Sequence, residues 1–128
     1  MKTRLVTFLA IAVLAVTGTA FAHHGAAAYD MGKAVTVKGT VSDFQFINPH
    51  VLITIDVKGD DGVVQKWQGE LTSPNHLARA GWTKSTIKIG DTITLMGAGA
   101  KSGSSTIWIR KIVGSNGEEI KLGGTADN

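Results

Sequence analysis

Apolar and polar residues alternate along several stretches of the chain, which is the pattern of β-strands that bury one face. The first stretch is Val35–Phe46, in which Gly39 suggests a bend or bulge. His50–Val57 alternates next, and the Gly59–Gly62 turn then leads into Val63–Leu71. The pattern therefore predicts three consecutive antiparallel strands.

One short helix is predicted after the third strand. Ser73 is a natural N-cap, Pro74 suits the first helical position, and Gly81 ends the helix. Three further strands follow: Thr92–Gly97, Thr106–Val113 and a short closing strand at Glu118–Leu122.

This order of elements predicts an all-β fold, a small five- to six-stranded OB-like Greek-key barrel with one short helix between strands three and four. The barrel domain spans residues 35–122. The glycines at positions 39, 90, 97 and 99 suit the bends that small barrels need. A different small β-sandwich or roll built from the same elements is the alternative fold.

Residues 1–22 are predicted to be a secretory signal peptide. Lys2 and Arg4 precede an uncharged apolar run, and alanines at positions 20 and 22 form a cleavage site before His23. A retained membrane anchor is the alternative, but the apolar run of about 12 residues is shorter than the ~20 that a span needs. We therefore expect a periplasmic or secreted protein.

Cleavage changes the size and the charge of the protein. Removing residues 1–22 from the 128-residue chain leaves 106 residues. Residues 23–34 then form a flexible leader rich in His, Gly and Ala, and residues 123–128 a disordered tail. The formal net charge falls from +3 to +1, because Lys2 and Arg4 leave with the signal peptide and 11 Lys and Arg remain against 10 Asp and Glu. The two signs are interspersed, so we expect no nucleic-acid partner, and no membrane contact after cleavage.

Several short motifs carry a family resemblance. They are His23-His24-Gly25, Asn48-Pro49-His50, Ser73-Pro74-Asn75 and Gly81-Trp82-Thr83. In these motifs the chain resembles a family of small exported bacterial proteins, DUF6152, over essentially the whole mature sequence. The resemblance implies an exported bacterial protein of about this size, and it implies no activity.

The histidines are candidate metal ligands. After cleavage, His23 offers a free amine and an imidazole that chelate one ion together, and a second imidazole would complete a histidine brace. Nitrogen donors without thiolate favour copper. His50 is the best second ligand, because Pro49 holds it at a rigid turn. His24 allows a rival chelate that needs no folded site, and His76 lies near the helix start.

Each histidine also has a structural explanation. His24 suits a flexible polar leader, and His76 suits a bond to the helix N-terminus or contact with water. His50 suits a hydrogen bond that ties Asn48 to the next strand. Both interpretations stay open at this point.

No enzyme activity is predicted. The chain has no cysteine, which excludes disulfides and thiolate chemistry, and it has no G-x-S-x-G motif. Glu70 and Asp91 are a conceivable carboxylate pair, but nothing in the sequence brings them together. The sequence therefore predicts a binding protein that takes copper, with a non-metal accessory or docking module for an exported protein or small ligand as the alternative. In that alternative, Trp67 or Trp82 would form an exposed aromatic face; they could equally plug the barrel ends.

Overall fold

The computed structural model describes residues 25–123, and its elements follow the predicted order. A 3-10 helix at Gly25–Ala28 precedes strand β1, and helix α1 stands between strands β3 and β4. The elements are β1 Tyr29–Gln45, β2 Leu52–Lys58, β3 Val64–Glu70, α1 Pro74–Arg79, β4 Thr92–Ala100, β5 Thr106–Val113 and β6 Glu119–Ile120. Within this range no helix is both long enough and apolar enough to span a membrane. The predicted signal peptide lies outside the described residues.

The strands form a closed ring. Strand β1 is long enough to pair antiparallel with β2 through its second half and with β4 through its first half. Strands β2 and β3 form a hairpin, as do β4 and β5. A short parallel pairing of β3 with β5 closes the ring. This order is that of an OB-type barrel, so the predicted fold class is confirmed.

The core follows the alternation read from the sequence. Val51, Ile53 and Ile55 are all fully buried inside the ring, and Leu77 of helix α1 is buried with them. Burial of one such aliphatic side chain contributes about 1.5–3 kcal/mol, so this apolar face dominates the stability of the barrel. Trp82 is 4% exposed and its indole N–H donates to the Lys121 carbonyl at 2.7 Å. Trp82 is therefore a plug of the barrel, not an exposed aromatic face.

Two strands extend beyond their predicted ends, and the extensions pair with each other. Strand β1 begins at Tyr29, six residues before the predicted start, so residues 29–34 belong to a strand and not to a flexible leader. Strand β4 likewise continues to Ala100. Tyr29 pairs with Ala100 and Asp30 with Gly99, across a register shift that ends at Ala34. Residues 98–100 are all Ala or Gly, and residues 29–34 are mixed in type, so neither extension has the apolar alternation that would have predicted it.

Candidate functional site

Polar and aromatic side chains from four parts of the chain meet where β3 and β5 close the ring. Glu70 is the last residue of β3 and pairs in register with Leu52 of β2 and Trp108 of β5. Tyr29 begins β1, and His50 lies just before β2. The closure of the barrel therefore brings together residues that are far apart in sequence.

His50 and Glu70 are in direct contact. The Nδ1 atom of His50 bonds the Oε1 atom of Glu70, and the two side chains are 24% and 21% exposed. The backbone beside them is fixed, because Val51 N–H donates to Thr72 O at 3.1 Å and Leu71 N–H donates to Val51 O at 2.9 Å. The peptide bond between Asn48 and Pro49 that precedes His50 is cis. The main chain thus holds both partners of the contact.

Tyr29 occupies the second oxygen of the carboxylate. Its hydroxyl donates to Oε2 of Glu70 at 2.8 Å. The Tyr29 ring is only 7% exposed and lies 5.9 Å from the Trp108 ring. Trp108 in turn contacts His50 edge-on, with ring centroids 5.6 Å apart and planes at 79°. Glu70 therefore has one hydrogen-bond partner on each oxygen, and Trp108 packs against both partners.

The other edge of the His50 ring faces the start of the described chain. A Cβ atom on Gly25 would lie 3.0 Å from Cε1 and 3.6 Å from Nε2 of His50. Gly25 also has a φ of +34°, which disfavours any residue with a side chain. Glycine therefore lets the main chain approach this ring closely. Because the carboxylate accepts from Nδ1–H, Nε2 is the nitrogen that carries the lone pair when the imidazole is neutral.

The structure places the predicted ligands as follows. His50 lies in the cluster just described, whereas His76 is exposed on α1, where its backbone N–H donates to Ser73 Oγ at 3.3 Å. His23 and His24 lie outside the described residues, two positions and one position before Gly25. Among residues 25–123 no group of three or more His, Cys, Asp or Glu side chains is arranged to hold a metal ion.

Sequence reasoning missed the roles of Glu70, Tyr29 and Trp108. Glu70 is paired with His50 and not with Asp91, which lies in the turn before β4 and accepts from Val41 N–H at 2.8 Å through its carbonyl. One signal could have found Glu70. A tight turn at residues 59–62 pairs Lys58 with Val64, and counting back along this register places Glu70 opposite Leu52. That position is two residues from His50.

The ionisation of Tyr29 tests this arrangement. Burial raises the pKa of the Tyr29 phenol far above its usual range; the hydrogen bond and negative charge of Glu70 raise it further, against a smaller opposing effect of Thr106. Tyr29 is the only tyrosine in the chain, so tyrosinate absorbance reports this residue alone. We expect tyrosinate in the folded protein only well above about pH 10, where an unfolded chain ionises.

The same shift has a consequence for stability. Above about pH 10 the folded state retains a proton that the unfolded state loses, so the free energy of unfolding falls as pH rises. Tyr29→Phe should remove this part of the slope in alkaline urea titrations. Ionisation of folded Tyr29 near pH 10 would contradict the buried contact with Glu70.

Comparison with known families gives a clear match. The model of a family of unknown function, DUF6152, matches residues 10–108. The chain belongs to the DUF6152 family. The matched range includes all four histidines together with Tyr29, Glu70 and Trp108. No curated protein is a significant match to the chain.

Solved structures share the fold of this DUF6152 protein at low identity. The mitochondrial single-stranded DNA binding protein Rim1 of S. cerevisiae is 11% identical, with a TM-score of 0.50 over 64% of this chain and 92% of that one. A ZRD-deleted mutant of TiaS in complex with agmatine is 21% identical, with a TM-score of 0.47 over 65% of this chain. The chain spans only 21% of the length of TiaS. The likeness to Rim1 is to the OB-type barrel alone.

The prediction that the charge balance excludes a nucleic-acid partner is wrong. Rim1, which has the same fold, is a single-stranded DNA binding protein. Net charge sums over the whole chain, whereas a single strand follows one groove and stacks on aromatic side chains there. Charge balance therefore does not decide this question, and a fold shared at 11% identity assigns no nucleic-acid partner to the chain either.

Proposed function

We propose that this protein is exported and, once processed, binds one copper ion through His50 and the amine and imidazole of an N-terminal His23. The observation that carries the proposal is the approach of Gly25 to the Nε2 edge of His50. Glu70 occupies Nδ1, so the one nitrogen available for a metal faces the segment that leads to His23.

The spacing supports this ligand set. His23 precedes Gly25 by two residues, and an extended chain spans at most about 3.6 Å per residue. The amine and imidazole of His23 would then lie roughly 7 Å along the chain from Gly25. At that distance they can bind the same metal ion as His50 Nε2. The terminal amine has an ordinary pKa near ~8, so displacing its proton at neutral pH costs little.

The donor set and its surroundings favour copper. Two imidazoles and an amine supply three nitrogen donors, and the chain has no cysteine to offer thiolate. Among divalent ions copper binds such nitrogen sites most tightly. A metal-bound histidine commonly donates its other ring N–H to a carboxylate, and the His50–Glu70 contact has this form.

The terminal amine is the decisive group to test. Two processed chains are compared: one that begins at His23, and one in which Gly-Pro precedes His23. The extension moves the amine away, and its proline has no N–H, so a new chelate through backbone nitrogens cannot form. We expect competition titration to show that each native chain binds one Cu(II) ion tightly. The extended chain should bind Cu(II) more than about 100-fold more weakly, since loss of a residue that only hydrogen-bonds to a metal ligand already lowers the affinity 10–100-fold.

His24→Ala separates the folded site from the rival chelate. A chelate of the terminal amine, a backbone nitrogen and the His24 imidazole needs His24, whereas the proposed site does not. Retention of tight binding in His24→Ala supports the site at His50. Equal copper affinity of the native and extended chains would overturn the role of the terminal amine in the proposed site. A processed native chain that binds copper no more tightly than a generic peptide would overturn metal binding altogether and leave the docking module as the surviving interpretation.

A further inference from the structure

We infer that Glu70, held in place by Tyr29, positions His50 for the metal and makes the site favour Cu(II) over Cu(I). This inference rests on the proposed function, because it concerns the same copper ion. It assigns to Glu70 and Tyr29 the part of positioning residues that act through His50. Neither side chain needs to touch the metal.

The hydrogen bonds fix which ring nitrogen is free. Glu70 accepts from His50 Nδ1 through one oxygen and from the Tyr29 hydroxyl, at 2.8 Å, through the other. The carboxylate cannot rotate without breaking one of these bonds. His50 is therefore held in the tautomer with its proton on Nδ1, and the Nε2 lone pair is directed to the Gly25 side of the ring.

No lysine neutralises the negative charge of Glu70 within the described residues, so this charge acts on the His50 ring. The Lys ion pairs found among residues 25–123 are Lys66–Asp56 and Lys111–Glu119, and neither involves Glu70. The side chain is 21% exposed, so water screens its charge less than on an open surface. The Tyr29 hydroxyl donates to it, and Trp108 packs on the Tyr29 ring.

A carboxylate at this position favours the higher oxidation state. By accepting a hydrogen bond from Nδ1–H, it makes the imidazole a stronger donor to the metal. Its negative charge, one imidazole away from the metal, also attracts a dication more strongly than a monocation. Both effects stabilise Cu(II) relative to Cu(I), so they lower the midpoint potential of the bound copper.

The test compares Glu70→Gln with Glu118→Gln in the processed chain. The first change removes the charge but keeps an acceptor for His50; the second removes an exposed carboxylate whose contacts are with Asn116. Cu(II) and Cu(I) affinities are measured by competition titration, and the midpoint potential by voltammetry. We expect Glu70→Gln to weaken Cu(II) binding 10–100-fold and Cu(I) binding much less. Each tenfold difference raises the potential by about 59 mV, and Glu118→Gln should match the native protein.

A second measurement needs no metal. The ¹⁵N chemical shifts of His50 in the metal-free protein, at a pH where histidine is neutral, should show the proton on Nδ1. In Glu70→Ala this preference should disappear, and in Tyr29→Phe it should weaken; circular dichroism checks that each variant is folded. Tyr29→Phe also serves as the copper variant if Glu70→Gln does not fold.

The outcomes separate the two proposals. A native protein that binds copper and has the same potential as Glu70→Gln overturns the inference and leaves the copper site standing. A proton on Nε2 of native His50 overturns the positioning role. A processed native protein that binds no copper overturns the proposed function, and the preference for Cu(II) with it.

Discussion

A processed chain that carries His50→Ala is expected to bind Cu(II) more than about 100-fold more weakly than the native protein. The change removes a direct ligand, and loss of an outer-shell partner alone costs 10–100-fold. Competition against a coloured chelator of known affinity measures the loss. The fold should survive, because His50 is half-buried at the rim and the Glu70 carboxylate left behind can be hydrated.

His76→Ala is the matched control. His76 is exposed on helix α1, and the bond to Ser73 that caps the helix comes from its backbone, so the variant keeps this contact. We expect its copper affinity to equal that of the native chain. If His50→Ala also binds like the native protein while deletion of His23 and His24 abolishes binding, the copper site is a chelate at a flexible terminus and the folded site does not exist.

Much of the fold could be predicted because the barrel buries one face of most strands. Ile53 and Ile55 alternate with polar residues and lie fully buried, as the period of two requires. The helix was marked by Ser73 and Pro74, and the structure begins it at Pro74. Local signals of this kind decide where an element lies, since they depend only on neighbouring residues.

The start of β1 could not be predicted from the same signals. Residues 29–34 form a strand because they pair with residues 98–100, which are themselves small and lack alternation. Each segment is stabilised by the other, across about 70 residues of chain, and neither carries a local pattern. The consequence was large, because Tyr29 lies in this segment and completes the cluster around Glu70.

The sequence predicted His50 as a residue of the candidate site but not the partners that surround it. His50 stood out because it follows Pro49 at a turn, and the structure places it in a polar and aromatic cluster. Glu70 was considered only as a conceivable carboxylate partner of Asp91, and nothing in the sequence linked it to His50. Its partners arise from the closure of the barrel by β3 and β5, which is a property of the whole fold. That His50 or any other histidine of the chain binds copper stays a prediction from the sequence.

The second large effect is expected at Gly97, where strands β4 and β5 approach too closely for a side chain. A Cβ atom at this position would lie 1.9 Å from the carbonyl oxygen of Trp108 and 2.8 Å from its carbonyl carbon. These are backbone atoms, so no side chain can rotate away to make room. The register of the two strands also shifts between Met96 and Gly97, so the irregular pairing lies at this contact.

Gly97→Ala should therefore destabilise the protein by about 3 kcal/mol or more, at the upper end of what overpacking costs. That is a large share of the 5–15 kcal/mol that stabilises a typical domain, and urea unfolding followed by tryptophan fluorescence measures it. Because the clash moves Trp108, which packs on His50, copper affinity should fall as well. Gly32→Ala is the control: its new Cβ would meet nothing closer than 3.4 Å, so its unfolding midpoint should stay close to that of the native protein. Equal stability of the two variants would show that β4 and β5 are not packed as closely at Gly97 as the structure has them.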